Sequence, residues 1–357
     1  MSTADWYTHP PARSWTCPPA PREAAAFHAT LPGHAPTPLR EVPALADELG
    51  VRRVFVKDES SRLGLPAFKI LGASWAIHRA LAETSGDRLV TATDGNHGRA
   101  VARIARLLGL AAHVLVPGAV HPAAAAAIER EGARVTRVGC SYDDAVHLAA
   151  ETAAREPAAV LVQDTSRPGY TQIPEWITEG YTTLFHEADA QLRALGAEPA
   201  GLVAIPVGVG SLAQAAVTHY RAPRNAPAPS LLSVEPDSAA CVLASLTASR
   251  PTTVPTGTTV MTGLNCGTPS SAAWPRLRDG LDGATAVTDA DSLRAARDLA
   301  ALGISSGPCG AAALAGARAA LTSSAERRAA LAEHSTGTVV LLNTEGADAN
   351  PHTSTHP

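Results

Sequence analysis

Lysine is nearly missing from this chain. Of 29 residues that are lysine or arginine, only Lys57 and Lys69 are lysines, which leaves 27 arginines. Aromatic residues are also scarce, at 4%, so the core is expected to be built from Ala, Leu and Val with close helix approaches. Cysteines number five, Cys17, Cys140, Cys241, Cys266 and Cys309, odd in count and widely scattered. They form no C-x-x-C pair and no zinc-ligand spacing, which argues against a disulfide framework and for a reducing, cytoplasmic compartment. No basic segment followed by an apolar run opens the sequence, and the longest alanine-rich run, Ala123 to Ile128, is far too short to span a bilayer. A net charge of −4 gives no electrostatic footprint for nucleic acid or an anionic membrane, so neither partner is expected. The 13 histidines contain one H-x-x-x-H pair, His352 and His356. It lies in a Pro/Thr-containing tail ill-suited to a helix, and no metal site is expected.

What is there reads as an α/β protein. At 357 residues with 45% hydrophobic content, the chain is long enough for one large or two medium domains. Residues 1 to 36, rich in Pro and His, show no sustained period and are expected to wrap over the surface or stay partly disordered. A short helix, Ala44 to Leu49, is closed by Gly50, and Val51 to Glu59 alternates as a strand. Gly72 to Leu81 reads as a helix. Strands at Leu89 to Ala92, Ala112 to Val116, Arg134 to Val138 and Ala159 to Val162 then alternate with helices at Gly98 to Leu108, Pro122 to Gly132 and Tyr142 to Arg155. Strict alternation of this kind is the signature of a parallel sheet covered on both faces. A longer helix, Glu175 to Leu195, bridges to a second unit. That unit has strands at Leu202 to Val207, Leu231 to Glu235, Ala284 to Val287 and Gly337 to Leu342, with helices between them. Two doubly wound α/β units result, and the tail from Ala347 to Pro357 is expected to be mobile.

Ligands in open parallel sheets bind beyond the carboxyl ends of the strands. Four stretches sit there: Thr93-Asp94-Gly95-Asn96-His97-Gly98, Gln163-Asp164-Thr165, Gly208-Val209-Gly210-Ser211-Leu212 and Asn343-Thr344-Glu345-Gly346. The loop Met261 to Gly267, full of small residues, reads as an active-site or interface loop. Lys69 is flanked by Phe68, Ile70 and Leu71, and a lysine amine, unlike a guanidinium, can lose its proton and form a Schiff base with a carbonyl. Lys69 is therefore a candidate covalent anchor, against the plainer reading of a solvated charge. The Gly208 loop, between a strand and a helix, is a phosphate cradle on physical grounds. By itself it suits a dinucleotide, with Glu235 ending the next strand where an acidic residue would bind a ribose, or a smaller phosphate ligand, or a structural turn. Asn96 is able to offer its amide to a ligand, while Asp94 and Asn96 are also good helix caps. His97 reads as a packing or hydrogen-bonding residue rather than a catalyst.

Taken together, Phe68-Lys69-Ile70-Leu71-Gly72-Ala73-Ser74, the Asn96 loop and the Gly208 loop resemble the pyridoxal-phosphate enzymes of fold type II. Within that group the Asp before Gly-Asn-His-Gly, Tyr142-Asp143-Asp144, Gln163-Asp164-Thr165, Gly169-Tyr170, Gly180-Tyr181, Met261 to Gly267 and Thr344-Glu345-Gly346 resemble the diaminopropionate ammonia-lyases. The match runs from about Pro36 to Gly346. Its joint occurrence is specific, while each motif alone is weak.

The resemblance implies two α/β domains with the active site in the cleft between them. Residues 37–77 and 182–346 would form the larger, cofactor-binding domain, 78–181 the smaller one, 1–36 an extension and 347–357 a flexible tail. Pyridoxal 5'-phosphate would be tethered to Lys69. Asn96 would hold its ring hydroxyl, Gly208, Val209, Gly210, Ser211 and Leu212 its phosphate, and Thr344 its ring nitrogen. Asp94 and Asp164, with Lys69, would carry the proton transfers of an α,β-elimination. Thr93, Asp94, Gly95, His97, Tyr142 and Asp164 would contact an amino-acid substrate. The implied reaction is conversion of 2,3-diaminopropionate to pyruvate and ammonia by a cytoplasmic homodimer. A serine/threonine dehydratase or a β-replacement enzyme is the same-cofactor alternative. A nicotinamide dehydrogenase and a catalytically silent amino-acid-binding relative are the alternatives of another class. Two departures bear on substrate choice. Arg167-Pro168 precede Gly169-Tyr170, and Pro308-Cys309 follow Gly307, where the family tends to carry other residues; Arg167 would favour an extra carboxylate. No role is assigned to Lys57.

Overall fold

The computed structural model of the protein describes residues 5–118, 120–223, 227–332 and 337–349. Eleven strands run through them: β1 (Trp6–Thr8), β2 (Leu39–Glu41), β3 (Arg53–Asp58), β4 (Arg88–Ala92), β5 (Ala111–Pro117), β6 (Arg134–Val138), β7 (Ala159–Leu161), β8 (Ala200–Pro206), β9 (Ser230–Pro236), β10 (Gly283–Val287) and β11 (Thr338–Asn343). They form a seven-stranded sheet in the order β1-β10-β9-β8-β11-β3-β2 and a four-stranded sheet in the order β6-β5-β4-β7. All pairings in the smaller sheet are parallel. In the larger sheet β10, β9, β8, β11 and β3 are parallel, while β1 and β2 run antiparallel at the two edges. Residues Ala200–Pro206 and Ser230–Pro236 are buried at every position, as central strands with both faces covered require.

Three sequence expectations change here. The segment before residue 37 is not loose within the described residues: Trp6 pairs with Thr285 in an added edge strand, and Glu23–Ala29 is helical. The expected strands all pair in parallel, but two edge strands not anticipated from the sequence run antiparallel: β1, and β2, which leads into β3 through a helix, Pro43–Leu49, too brief for a right-handed crossover. The long bridging helix spans Gln172–Ala194, starting before Glu175 because Pro174 is tolerated in a first turn, where its missing N–H has no partner to lose. From 350 onward, the expected mobile tail with His352 and His356 lies outside the described residues.

Packing fixes the turn that carries Lys69. It is the N-cap of the helix Ile70–Glu83, which lies on Gln172–Ala194 through two glycines. A Cβ on Gly72 would come within 2.5 Å of Tyr181 Cε1, and one on Gly180 within 2.5 Å of Leu71 O. Only hydrogen at both positions lets the backbones approach this closely. Ile70, Leu71, Ile77, Ile177 and Leu184 join Val203 and Ile205 in the core on one face of the larger sheet. The Ala-rich helix Pro308–Leu321 fills the other face, with Val54, Val56, Leu202, Leu232 and Leu341. Val90, Leu115 and Val146 make a separate core under the smaller sheet.

Lys57 belongs to this scaffold. Its Nζ, fully buried, donates to Thr37 O at 2.8 Å, Glu187 Oε2 at 2.8 Å and Gln191 Oε1 at 2.9 Å. Arg62 donates to Glu59 and to Glu187 beside it. The group ties the strand β3 and the loop at Thr37 to the long helix.

Candidate active site

The loops that follow β4, β7, β8 and β11 face one another across the gap between the two sheets. The cleft is lined by Phe68, Lys69, Thr93 to His97, Tyr142, Asp164, Pro206 to Leu212, Gly263, Leu264, Cys266, Cys309, Thr344 and Glu345. Each residue anticipated for cofactor or substrate is among them. The loop Met261 to Gly267 supplies three.

Lys69 Nζ donates to Asp164 Oδ2 at 2.6 Å. Burial works against charge on both groups, but the mutual attraction wins. It raises the Lys69 amine above its ordinary value and holds the Asp164 carboxyl well below the usual carboxylate range. The pair is an ammonium and a carboxylate at neutral pH. An amine must be uncharged to attack a carbonyl, so Lys69 has to leave this ion pair and lose its proton before it can act as a nucleophile. Tyr142 OH reaches Asp164 Oδ1 at 3.4 Å and accepts from Gln163 Nε2 at 3.0 Å. Gln163 is held in turn by Thr91 Oγ1 and Ala92 N, both donating to its Oε1.

Asp94 stands apart in its electrostatics. Burial, and then the negative charge of Asp164, push its carboxyl up to about 7, with Lys69 opposing. Two carboxyl groups in one cleft are thus driven in opposite directions, one locked as carboxylate and one able to exchange a proton near neutrality. Thr93 shapes their loop: its Oγ1 accepts from Gly95 N and from Gly98 N, each at 2.9 Å. The helix Asn96–Leu108 therefore starts at the cleft, which its first residues, Asn96 and His97, line.

The Gly208 loop opens the helix Ser211–Tyr220. Gly210 has φ 101°, and a Cβ there would meet Leu277 Cδ1 at 2.6 Å. Ser211 Oγ donates to Asp164 O at 2.8 Å, fastening this loop to the one that carries Asp164. The arrangement of backbone N–H groups and helix positive end suits a phosphate. Thr344 follows β11 on the opposite wall.

Glu235 does not serve a ribose. It is fully buried, and its two oxygens accept from Val242 N and Leu243 N at 2.7 Å each, capping the helix Cys241–Ala248. A carboxyl group spent on two helix N–H groups has no reach left for a nucleotide. Arg167 is also misplaced for an extra carboxylate: it is absent from the cleft wall, and its guanidinium lies 5.3 Å from the Tyr170 ring. Asn96 lines the cleft as anticipated, but its amide is engaged by Glu345, a residue of the strand-end motif to which sequence reading assigned no role. Asn96 Nδ2 donates to Glu345 Oε2 at 2.6 Å. Cys309 also lines the cleft, as does Cys266, and burial pushes both thiols up, so neither is a thiolate at neutral pH. No group of three or more His, Cys, Asp and Glu able to hold a metal is found among the described residues, and none of their helices is long and apolar enough to cross a membrane.

Comparison with known proteins finds relatives in sequence and in structure. The model of the family described as pyridoxal-phosphate dependent enzyme matches residues 30–345. The diaminopropionate ammonia-lyase of Salmonella typhimurium is 38% identical over 283 residues, 72% of this chain and 70% of that protein. The solved structure of the diaminopropionate ammonia-lyase of Escherichia coli, in complex with an aminoacrylate-PLP azomethine reaction intermediate, superposes with a TM-score of 0.88 at 32% identity, covering 98% of this chain and 95% of that one. A threonine deaminase from T.th. gives a TM-score of 0.75 at 28% identity, covering 91% of this chain and 96% of that one.

Proposed function

The chain belongs to the pyridoxal-phosphate dependent enzymes, as a relative of the diaminopropionate ammonia-lyases, and we propose that it eliminates ammonia from 2,3-diaminopropionate to leave pyruvate. The observation that carries the reading is the meeting of one amine, Lys69, with two oppositely tuned carboxyl groups, Asp94 and Asp164, beside a glycine cradle.

The residues present fit pyridoxal phosphate. The cradle of Gly208 to Leu212 holds the phosphate, Lys69 is the tether, Asn96 serves the ring hydroxyl and Thr344 the ring nitrogen. When bound, the cofactor supplies the electron sink that acidifies the substrate's α carbon. The protein supplies the rest. The N–H groups at the start of Asn96–Leu108 and the Thr93 hydroxyl hold the substrate carboxylate, and Gly95 and His97 close the space around it. Asp94, poised near neutrality, takes or returns the proton at the α carbon, with Lys69 on call for the same atom. Asp164, locked as a carboxylate and backed by Tyr142, holds the second amine in its charged form, the form in which it leaves. Phe68 and Leu264 give the cleft apolar wall.

Residues 37–77 with 182–346 form the cofactor-binding domain and 78–181 the smaller one. The protein works in the cytoplasm as a homodimer.

Absorbance of the purified protein with and without diaminopropionate tests both cofactor and substrate. A visible band that changes on adding the substrate, with ammonia and keto acid released, is the expected result. A colourless protein that takes up NAD sinks the reading, and release of ammonia from serine or threonine alone assigns the chain to the dehydratases instead.

A further inference from the structure

Glu345 sits where the two sheets meet, 2% exposed. One of its oxygens accepts Asn96 Nδ2 at 2.6 Å and the other accepts Cys309 N at 3.1 Å. Asn96 opens a helix of the smaller sheet, whereas Glu345 follows the last strand of the larger one. Its backbone is fixed independently of its side chain, since Gly307 N donates to Glu345 O at 3.0 Å and Ala67 bridges to Glu345 from the other side. The Cys309 N–H belongs to the first turn of Pro308–Leu321, whose positive end favours a carboxylate at that place.

This contact determines which way the Asn96 amide faces. A carboxylate has only acceptors to offer, so the amide must present its nitrogen to Glu345 and not its oxygen. Both amide N–H groups are on that nitrogen, and one is left for the cleft. On the reading that this cleft takes pyridoxal phosphate, we propose that Glu345 is a positioning residue that sets the Asn96 amide as a donor toward the cofactor's ring hydroxyl and brings a negative charge to that side of the ring. Apolar or amide side chains at 345 would fill the same space but leave Asn96 free to turn its oxygen inward.

The test is a cycle of E345Q, N96A and the double variant in the full chain, dialysed free of cofactor and titrated with pyridoxal phosphate. Two quantities are read: the dissociation constant, and the pH midpoint of the visible absorption band. E345Q is expected to bind at least about tenfold more weakly. Its midpoint should fall by about one unit, because loss of a nearby negative charge disfavours the protonated form. In the N96A background the further effect of E345Q should be less than about twofold. If wild type shows no band, the cofactor reading fails and this proposal with it. If wild type shows one and E345Q matches it in both quantities, Glu345 alone loses its role. Equal losses with and without N96A also overturn the proposal, since Glu345 would then act through the fold. Should E345Q not fold, E345D takes its place in the cycle, its shorter side chain being unable to span both contacts.

Discussion

His97 gives its Nε2–H to Val162 O, 2.8 Å away, and so leaves Nδ1 as a buried acceptor without a partner, 3.9 Å from Asp164 Oδ2. Burial lowers the pKa of this imidazole, against the pull of Asp164. The ring is therefore neutral, and Nδ1 presents a lone pair to the floor of the cleft beside the Lys69–Asp164 pair. His97→Gln is expected to lower substrate affinity while sparing cofactor binding. Steady-state kinetics set beside a cofactor titration measure both, and an unchanged KM would refute it.

Lys69→Ala removes the tether. Loss of at least about 10³-fold in turnover is expected. Borohydride treatment followed by peptide mass mapping should place the cofactor mass on the Lys69 peptide in wild type and nowhere in the variant.

Asp94 titrates at about 7 in the folded protein, above the ordinary value for an aspartate. A step that needs its base form should speed up as pH rises through 7. Asp94→Asn should erase that limb and slow at least one stereoisomer of diaminopropionate by about 10²- to 10⁴-fold. The same shift has a consequence for stability. A raised pKa means that the folded state binds the proton more tightly, so its contribution is present at low pH and is lost as pH rises through 7. Cofactor-free Asp94→Asn should then melt higher than wild type at pH 8, with the difference shrinking toward pH 4.

Lys57→Met leaves Glu187 paired with Arg62 but takes the donor from Gln191 Oε1. Destabilisation of about 1–3 kcal/mol is expected by denaturant unfolding, with the pyridoxal-phosphate dissociation constant of the folded fraction unchanged.

Gly210→Ala tests the cradle. Its φ of 101° is costly for any residue with a Cβ, by at least about 1 kcal/mol. Affinity for pyridoxal phosphate should drop about fivefold or more, and inorganic phosphate should protect the variant less from thermal unfolding than it protects wild type.

Sequence reading reached the parts of the site that are local. Lys69 is conspicuous because lysine is rare, and the Asn96 and Gly208 loops sit at strand ends that alternation marks. Contacts between distant segments stayed hidden. Glu345 was legible as part of a strand-end motif, but its grip on Asn96 joins residues 249 positions apart. Lys57 needed Thr37, Glu187 and Gln191 to explain it. Glu235 fits a dinucleotide pattern in letters, yet period-2 alternation does not say whether a strand's last side chain turns to the cleft or to the next helix. A three-residue strand such as β1 carries no period at all.

That short strand bears on how the protein is handled. Trp6–Thr8 covers β10, Arg13 reaches Asp282 at 2.9 Å and Arg327 reaches Asp5 at 2.7 Å. A chain trimmed to residues 30–345, the span the family model matches, would strip this cover and turn β10 into an open edge with a row of unpaired N–H and C=O groups. Such a fragment invites strand-to-strand aggregation even with every cleft residue in place.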